Sequence, residues 1–228
     1  MSEKCPVDHS KTTTEPQSCP VDHEARKVWL NGGEGCPVDH TQEACSSDRI
    51  DQNASLNPGQ RDTTTGLSLE REVSSIPRAG SQGNWVYPSQ KQFFDAMKRK
   101  SFDPNPSDMQ TIIPIHNAVN ERAWMEILKW EGQKGDSCGG PKLVRFQGDS
   151  SKLTPRARWN MMWGLQKPFD RHDWTIDRCG TQVEYVIDFY TGKSNPLAPD
   201  MPSFYLDARP KLNSAEGVKM RIAHFLGF

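Results

Sequence analysis

The sequence predicts an α+β protein, with helices in the first half of a folded body, antiparallel strands in its second half, and a disordered tail before both. Residues 1–70 carry 6 Lys and Arg against 12 Asp and Glu, and they hold one of the seven Trp. A segment this acidic and poor in aromatic residues cannot bury enough apolar surface to offset its chain entropy. Residues 71–228 carry 22 Lys and Arg against 17 Asp and Glu, with the other six Trp. We therefore predict a disordered tail over residues 1–70 and one folded domain over residues 71–228.

The overall composition indicates a soluble protein. The mean hydropathy is -0.77, and hydrophobic residues make up 34% of the chain. No run approaches the roughly 20 apolar residues that a transmembrane helix needs. Residues 1–6 begin neither a secretory signal peptide, which needs an apolar core, nor an Arg-rich transit peptide. Peripheral attachment to a membrane is left open by these observations.

The first predicted helix covers residues 90–100. Ser89 is placed to cap its N-terminus, because a serine oxygen can accept a hydrogen bond from a free backbone N–H of the first turn. Phe93, Phe94 and Met97 share one side of this helix and predict its buried face.

Residues 107–131 are predicted to form two helical segments with a break between them. Ser107 is placed to cap the first segment. Pro114 lacks a backbone donor and disfavours helical angles in the preceding residue, so we expect it to break or kink that segment. Asn120 is placed to cap the second segment. His116 is thus expected just after the break and just before the new helix.

A histidine at such a break can point into a cavity. Neutral imidazole is a common metal ligand, and heme iron is among the metals it serves. The alternative is a structural histidine held by hydrogen bonds, because no neighbouring residues have the spacing of a metal-ligand set.

The second half of the body predicts strands. Candidate strands lie at residues 142–146, 156–162, 172–177, 182–190 and 203–207. Val183, Tyr185, Ile187 and Phe189 alternate as in a half-buried strand, and only residues 178–181 separate it from the preceding candidate. This spacing predicts a β-hairpin.

A final helix is expected near the C-terminus. Asn213 and Ser214 are placed to cap it. Its predicted apolar face consists of Val218, Ile222, Phe225 and Leu226.

The tail repeats the pentapeptide Cys-Pro-Val-Asp-His three times, starting at Cys5, Cys19 and Cys36. Each copy offers a thiolate and, four residues later, an imidazole. Zinc could be bound by Cys and His from two copies, although the usual paired-cysteine spacing is missing. Alternatively, each Cys-Pro is a transient thiolate ligand for heme iron. A third interpretation is a repeated linear motif that another protein binds.

The cysteines do not suggest a disulfide framework. Four of the six lie in the predicted tail, where a disulfide would stabilise nothing, and only Cys138 and Cys179 lie in the body. We expect these two to be free or metal-binding thiols.

Many specific segments in one order resemble the holocytochrome c synthases, also called cytochrome c heme lyases. The resemblance covers about residues 70–210 and the tail repeats. The segments that carry it are Ser75-Ile76-Pro77-Arg78, Trp85-Val86-Tyr87-Pro88-Ser89, His116-Asn117 with Asn120-Glu121 and Trp124, Ile127-Leu128-Lys129-Trp130-Glu131, Pro155-Arg156-Ala157-Arg158, and Pro168-Phe169-Asp170-Arg171-His172-Asp173-Trp174 with Asp177-Arg178-Cys179-Gly180-Thr181.

The resemblance implies a lyase that attaches heme b covalently to apocytochrome c or to cytochrome c1. Thioether bonds would form between the heme vinyl groups and the cysteines of the partner's Cys-x-x-Cys-His motif. This chain contains no such run, so the reacting cysteines would belong to the partner. The implied location is the intermembrane-space side of the mitochondrial inner membrane, with peripheral membrane contact. No nucleic-acid partner is implied.

The resemblance also implies roles for individual residues. His116 matches the family's axial ligand to heme iron. Glu121 and Arg178 match positions needed for function, and Trp85 matches an aromatic residue close to heme. Tyr87, in the same motif as Trp85, is a further candidate for heme contact.

Simpler roles remain open for several of these residues. Glu121 could only favour a helix N-terminus through the helix dipole. Arg178 could contact a heme propionate or form a stabilising ion pair. His172 is a candidate heme-binding residue, with a structural hydrogen-bonding role as its alternative.

Two other functions compete with the lyase at this point. One is a non-catalytic heme sensor or carrier, with the Cys-Pro repeats as regulatory ligands. The other is a zinc-binding adaptor, which would bind zinc without heme.

Overall fold

The computed structural model describes residues 55–132, 134–149, 152–193 and 203–227. Its helices are α1 (Gln90–Arg99), α2 (Met109–Glu131), α3 (Pro155–Met162) and α4 (Ala215–Phe225). Its strands are β1 (Val73–Pro77), β2 (Asn84–Val86), β3 (Lys142–Gly148), β4 (Asp170–Arg178), β5 (Thr181–Thr191) and β6 (Phe204–Pro210). Short 3₁₀ turns at Pro106–Asp108 and Asp136–Cys138 complete the described elements. The predicted α+β class is confirmed.

Two antiparallel sheets form the framework. Strands β3, β4, β5 and β6 form a four-stranded sheet in that order, and β1 pairs with β2. Helix α2 crosses one face of the larger sheet, where Trp130 Nε1 donates a hydrogen bond to the Ala208 carbonyl at 2.7 Å. Helix α3 begins at the other face, where Thr154 donates a hydrogen bond to Asp188, which points away from the core face of β5.

The main core lies between α2 and the larger sheet. Alternation along β5 sends every second side chain to this face, as the sequence predicts. The buried members of this core are Ile76, Trp85, Ala123, Trp124, Ile127, Leu143, Trp174, Ile176, Val183, Tyr185, Ile187, Phe189, Ala208 and Met220. Helix α2, one residue of α4 and all six strands therefore contribute to one apolar layer.

The caps predicted for the first and last helices are confirmed. Ser89 accepts a hydrogen bond from the Gln92 backbone, and the Gln92 side chain accepts one from the Ser89 backbone, so both groups of a capping box are satisfied. Ser214 caps α4 by accepting a hydrogen bond from the Gly217 backbone.

The predicted break at Pro114 is wrong. Helix α2 runs for 23 residues through Pro114 without interruption. Pro114 lies near the helix start, where its missing N–H costs the one hydrogen bond to the Gln110 carbonyl. Burial of Ile113 before it and of Asn117 after it holds the helix together. His116 therefore lies inside a helix.

The caps predicted around this break are wrong for the same reason. Asn120 is a buried residue in the middle of α2 and caps nothing. Ser107 also caps nothing, because Asn105 accepts a hydrogen bond from the Ser107 backbone and so starts the short 3₁₀ turn.

The predicted strand at residues 156–162 is a helix. Thr154 accepts a hydrogen bond from the Ala157 backbone, and Pro155 occupies the first helical position. Both are signals of a helix N-terminus, because proline lacks the N–H that would be left free there.

The predicted hairpin is confirmed, whereas the prediction of free thiols is wrong. Only Cys179 and Gly180 connect β4 with β5, and both have positive φ, at 52° and 86°. This tight turn presents Cys179 to the loop that follows α2, where it forms a disulfide with Cys138 at a Cα–Cα distance of 5.6 Å. The two cysteines are 41 residues apart, so tertiary packing brings them together.

The predicted boundary at residue 70 lies within a packed part of the chain. Leu67 is buried in a small second core with Phe94, Met109 and Ile113, which joins α1 to the start of α2. The Asp62 backbone donates a hydrogen bond to the Leu67 carbonyl at 2.8 Å. Residues 55–70 are thus attached to the body rather than to the tail.

The apolar face predicted for the last helix does not face the core. The predicted apolar positions Val218, Ile222 and Phe225 of α4 and its C-cap Leu226 are exposed, whereas Gly217 and Met220 are its buried residues. Gly217 is required there because a Cβ would lie 1.9 Å from the Lys211 carbonyl oxygen. Within the described residues, no helix is long and apolar enough to cross a membrane.

Candidate active site

His116 is a partly buried side chain of α2 that faces both α1 and the sheet. Its ring meets the Phe93 ring edge-on, with 5.4 Å between their centroids. Its Nδ1 lies 3.4 Å from Nδ2 of Asn120, one turn further along the helix. The i, i+4 spacing of an α-helix places the two side chains on one face.

The surroundings of His116 keep its imidazole neutral. Burial lowers its pKa to about 4, and the nearby imidazole of His172 acts in the same direction. The carboxylate of Asp170 opposes both effects. The ring therefore carries no charge near pH 7 and has one unprotonated nitrogen, which is the form of histidine that binds metals.

His172 approaches this site from strand β4. Its Nε2 lies 3.1 Å from Oδ2 of Asp170, two residues earlier on the same face of the strand. Its ring meets Phe189 of the neighbouring strand edge-on at 5.0 Å. Its Nδ1 is buried and has no hydrogen-bond partner among the described residues. The site thus contains two neighbouring imidazoles from separate elements, one of them with an unused buried nitrogen.

Glu121, on the same helix, links α2 by hydrogen bonds to β1 and to Tyr87, the residue that follows β2. Its carboxylate accepts hydrogen bonds from the hydroxyls of Ser74 and Ser75, from the Ser75 backbone at 3.2 Å, and from the Tyr87 hydroxyl at 2.9 Å. Burial raises the pKa of Glu121, but these hydrogen bonds outweigh that effect and lower the pKa overall. Glu121 is therefore an ionised anchor of the helix that carries His116.

The model of the family described as "Cytochrome c/c1 heme lyase" matches residues 1–225. The chain belongs to this family. It is therefore a lyase whose substrates are heme and an apocytochrome.

Several relatives of this heme lyase agree with that membership. A putative holocytochrome-c1 synthase of Schizosaccharomyces pombe is 48% identical over 215 residues, which cover 91% of this chain and 90% of the relative. The holocytochrome c-type synthase of Homo sapiens is 43% identical over 199 residues, covering 82% and 74%. The holocytochrome-c synthase of Saccharomyces cerevisiae is 35% identical over 236 residues, covering 91% and 86%. No solved structure matches the chain.

Trp85 of the heme lyase lies in the core rather than on an open surface. It is 6% exposed, and its Nε1 donates a hydrogen bond to the Leu143 carbonyl at 3.2 Å. The Phe146 ring meets it edge-on at 5.5 Å, and the Arg78 guanidinium lies 5.3 Å from its ring centroid. This packing leaves little of the indole for stacking on a porphyrin.

Tyr87 is also committed to internal contacts. It is buried, its hydroxyl donates to Glu121, and the Ser74 hydroxyl oxygen lies 3.3 Å from the Tyr87 hydroxyl. Burial raises its pKa, so the hydroxyl stays protonated and can keep donating. Tyr87 thus helps to hold α2, the helix of His116, through its hydrogen bond to Glu121.

Arg178 lies at the opposite end of α2 from His116. Its Nε and Nη2 donate to the Glu131 carboxylate at 2.5 and 3.0 Å, and its Nη1 donates to Glu216 of α4 at 2.7 Å. Fifteen residues separate His116 from Glu131, which is about 22 Å along a helix. Of its two predicted roles, Arg178 has the ion pair, and its guanidinium is not near the two histidines.

Sequence reasoning missed the residues that surround these side chains. Glu131 is fully buried and accepts hydrogen bonds from both Arg178 and the Tyr185 hydroxyl. No local signal marks it, because its partners lie 47 and 54 residues away. Asp170 lies two residues before the strand predicted at residues 172–177, and the observed strand begins at Asp170, which puts it on the same face as His172.

The proposed tail ligands Cys5, Cys19 and Cys36 lie outside the described residues. In the part of the chain that the structure does describe, no group of three or more His, Cys, Asp or Glu side chains could hold a metal ion.

Proposed function

We propose that this heme lyase joins heme b to an apocytochrome through thioether bonds, with His116 as the axial ligand of the heme iron. The observation that carries the proposal is the neutral, partly buried imidazole of His116 beside His172, in a chain of this family. A protonated histidine cannot bind iron, so the lowered pKa favours this role at physiological pH.

Asn120 fits a role in orienting the His116 ring. Its amide lies 3.4 Å from Nδ1 of His116, and the oxygen and nitrogen of such an amide can be exchanged by a half-turn. With its oxygen towards Nδ1, Asn120 would accept a hydrogen bond from Nδ1–H and leave Nε2 free for iron. Hydrogen bonds of this kind fix the tautomer of histidine ligands.

His172 is proposed to bind the heme substrate without ligating its iron. Its Nε2 is paired with Asp170, while its buried Nδ1 has no partner in the described part of the chain. With Nε2–H donating to Asp170, Nδ1 of the neutral ring is an acceptor, so a donor on the bound substrate, such as a protonated heme propionate, would satisfy this nitrogen. A buried polar atom without a partner costs free energy, and bound substrate would remove that cost.

The proposed chemistry needs no nucleophile from this chain. Each partner thiol adds across one vinyl group of heme, so that sulfur bonds to one vinyl carbon and a proton is added to the other. No oxidant or reductant is consumed. The enzyme would act by holding the two substrates in reacting geometry, which converts an encounter of three components into an intramolecular step. Glu121 and Tyr87 are proposed to contribute by fixing α2.

The partner is proposed to be apocytochrome c1 or apocytochrome c. The relative at 48% identity is named a putative c1 synthase and the one at 35% a c synthase, which favours c1. Expression of the lyase with each apoprotein separately, and then with both together, tests this preference. Equal yields of the two products under competition would contradict it.

The proposed location is the intermembrane-space side of the mitochondrial inner membrane, with peripheral attachment. The disulfide between Cys138 and Cys179 supports a compartment in which thiols can be oxidised. Fractionation of mitochondria followed by protease protection tests this location, and a protein confined to the matrix would contradict it.

Coexpression in a host whose cytoplasm lacks cytochrome maturation tests the function. Wild-type lyase should yield heme that stays with the apocytochrome through acid-acetone extraction, and His116→Ala should yield almost none. Added imidazole should restore part of the activity of His116→Gly. The control is His224→Ala, because His224 stacks on Trp130 at 4.2 Å, away from the site, and this variant should retain activity. Reversible heme binding without covalent product would favour the heme carrier instead.

The tail cysteines are proposed to be dispensable for attachment when heme is plentiful. Cys5, Cys19 and Cys36 replaced together by Ala should leave the covalent yield largely intact, because an acidic, aromatic-poor tail cannot hold a reacting geometry. Complete loss of product would move the catalytic heme site to the tail.

A further inference from the structure

We propose that α3 and the turn that follows it, residues 155–167, dock this lyase on the surface of an anionic phospholipid membrane. This segment, which we name the α3 surface, combines exposed apolar side chains with unpaired basic ones. Only the usefulness of docking rests on the proposed function.

The α3 surface exposes an unusual set of large apolar side chains. Trp159 is 60% exposed, Met162 79%, Trp163 74% and Leu165 59%. Trp159 and Trp163 are one helical turn apart, with ring centroids at 6.4 Å, so they form one exposed aromatic pair. The opposite side of the helix is anchored by Ala157, which is fully buried. Tryptophan is enriched at the membrane interface, where its ring meets the headgroup region.

The charge of this segment favours a lipid over a protein as the occupant. Residues 152–169 contain Lys152, Arg156, Arg158 and Lys167 but no Asp or Glu. Lys152 pairs with Asp149, and Arg156 lies 3.7 Å from Asp207. Arg158 and Lys167 are exposed and form no ion pair within the described residues. A surface that exposes a pair of Trp rings beside unpaired basic residues combines the aromatic and the electrostatic features that favour contact with anionic lipid headgroups.

The position of the α3 surface relates it to the candidate active site. Phe169 connects it directly to β4, on which Asp170 and His172 lie. The Phe169 backbone donates to the Phe189 carbonyl at 2.9 Å, which fixes this connection to the sheet. Docking would therefore bring the start of β4 close to the lipid, with His172 on the opposite face of the sheet from α3. Heme is a flat apolar ring with two carboxylates, so it partitions into such an interface.

Flotation of the full chain with phospholipid vesicles tests the proposal. Wild type should float with vesicles of phosphatidylcholine plus phosphatidylglycerol, float less as salt is raised, and stay unbound with phosphatidylcholine alone. The double variant Trp159→Ser with Trp163→Ser should reduce the vesicle-bound fraction at least about tenfold. The reason is that the membrane interface then loses the two indole rings that would be buried in it. Arg158→Gln should weaken binding roughly fivefold at low salt.

Met125→Ser is the matched control. Met125 is an exposed apolar residue of α2, outside the α3 surface, and its variant should float like wild type. The urea unfolding midpoint of each variant identifies any loss of fold. The proposal is overturned if wild type does not float with anionic vesicles, or if the Trp variant floats as well as wild type. The latter outcome combined with lost apocytochrome binding would identify a protein interface instead. Flotation needs neither heme nor apocytochrome, so its result is independent of the proposed catalytic function.

Discussion

Replacement of Arg178 by Met separates a structural from a heme-binding role for this residue. Arg178 donates twice to Glu131, which is 0% exposed. Without the guanidinium, the buried carboxylate would keep, among the described residues, only its hydrogen bond from Tyr185. Removing one partner of a buried ion pair costs about 3–5 kcal/mol, because the remaining charge is left uncompensated. The lost pair with the partly exposed Glu216 adds at most about 1 kcal/mol.

Urea unfolding measures this cost, and a heme titration of the folded protein measures affinity. Arg178→Met should lower the free energy of unfolding by about 3–5 kcal/mol and leave the heme affinity of the folded fraction unchanged. Arg122→Met is the control on the same helix, because Arg122 is 58% exposed and its pair with Glu126 is worth only about 0.3–0.5 kcal/mol. Adding Glu131→Gln to Arg178→Met should recover part of the loss, since no buried charge then remains.

The reasoning would be refuted by the opposite pattern. If Arg178→Met keeps its unfolding free energy within about 1 kcal/mol of wild type while heme affinity falls, Arg178 contacts a propionate. The distance of about 22 Å along α2 from His116 to Glu131 would then have to be spanned by a movement of the hairpin.

Three further predictions concern the helix of His116 and the disulfide. The pKa of His116 is lowered to about 4 in the folded chain, against about 6.5 unfolded, so the unfolded chain binds more protons between these values. The free energy of unfolding should therefore rise as pH rises through this window, and His116→Gln should flatten that slope; an equal slope in both would contradict the assignment. Cys138→Ser should lower the free energy of unfolding by about 4 kcal/mol, because the disulfide closes a long loop, and a reductant should then have no further effect on the variant. Glu121→Ala should lower the free energy of unfolding by about 3 kcal/mol because Ser74 and Tyr87 lose their acceptor, whereas Tyr87→Phe should lower it by about 1 kcal/mol. Glu121→Ala should also reduce the heme retained by the protein equally with and without apocytochrome. A loss seen only with apocytochrome would assign Glu121 to partner binding.

Much of the secondary structure could be predicted because its signals are local. Ser89 and Ser214 cap helices by hydrogen bonds to backbone groups three residues away. The alternation along β5 and the two-residue turn at Cys179 specify a hairpin without help from the rest of the chain. The family motifs are likewise a property of the sequence, and they identified His116 as the residue of interest before any geometry was known.

Local signals failed where packing outweighed them. Pro114 should end a helix, yet burial on both sides of it offsets one missing hydrogen bond, so α2 continues. Residues 156–162 are a different case, because the signals that make them a helix, the Thr154 cap and Pro155 at the first helical position, are themselves local. Leu67 packs in the second core, although the residues around it belong to the acidic, aromatic-poor segment that predicted a disordered tail.

The sequence by itself determined the family, the antiparallel strands of the second half and the residue types that the site would need. Tertiary structure alone decided which of those residues meet. His116 and His172 come together because α2 crosses the face of the sheet on which His172 lies, whereas Arg178 is directed to Glu131 at the other end of the same helix. The disulfide between Cys138 and Cys179 has the same origin. Contacts between residues 41 to 56 positions apart depend on how whole elements pack, and no signal within a few residues of either partner can specify them.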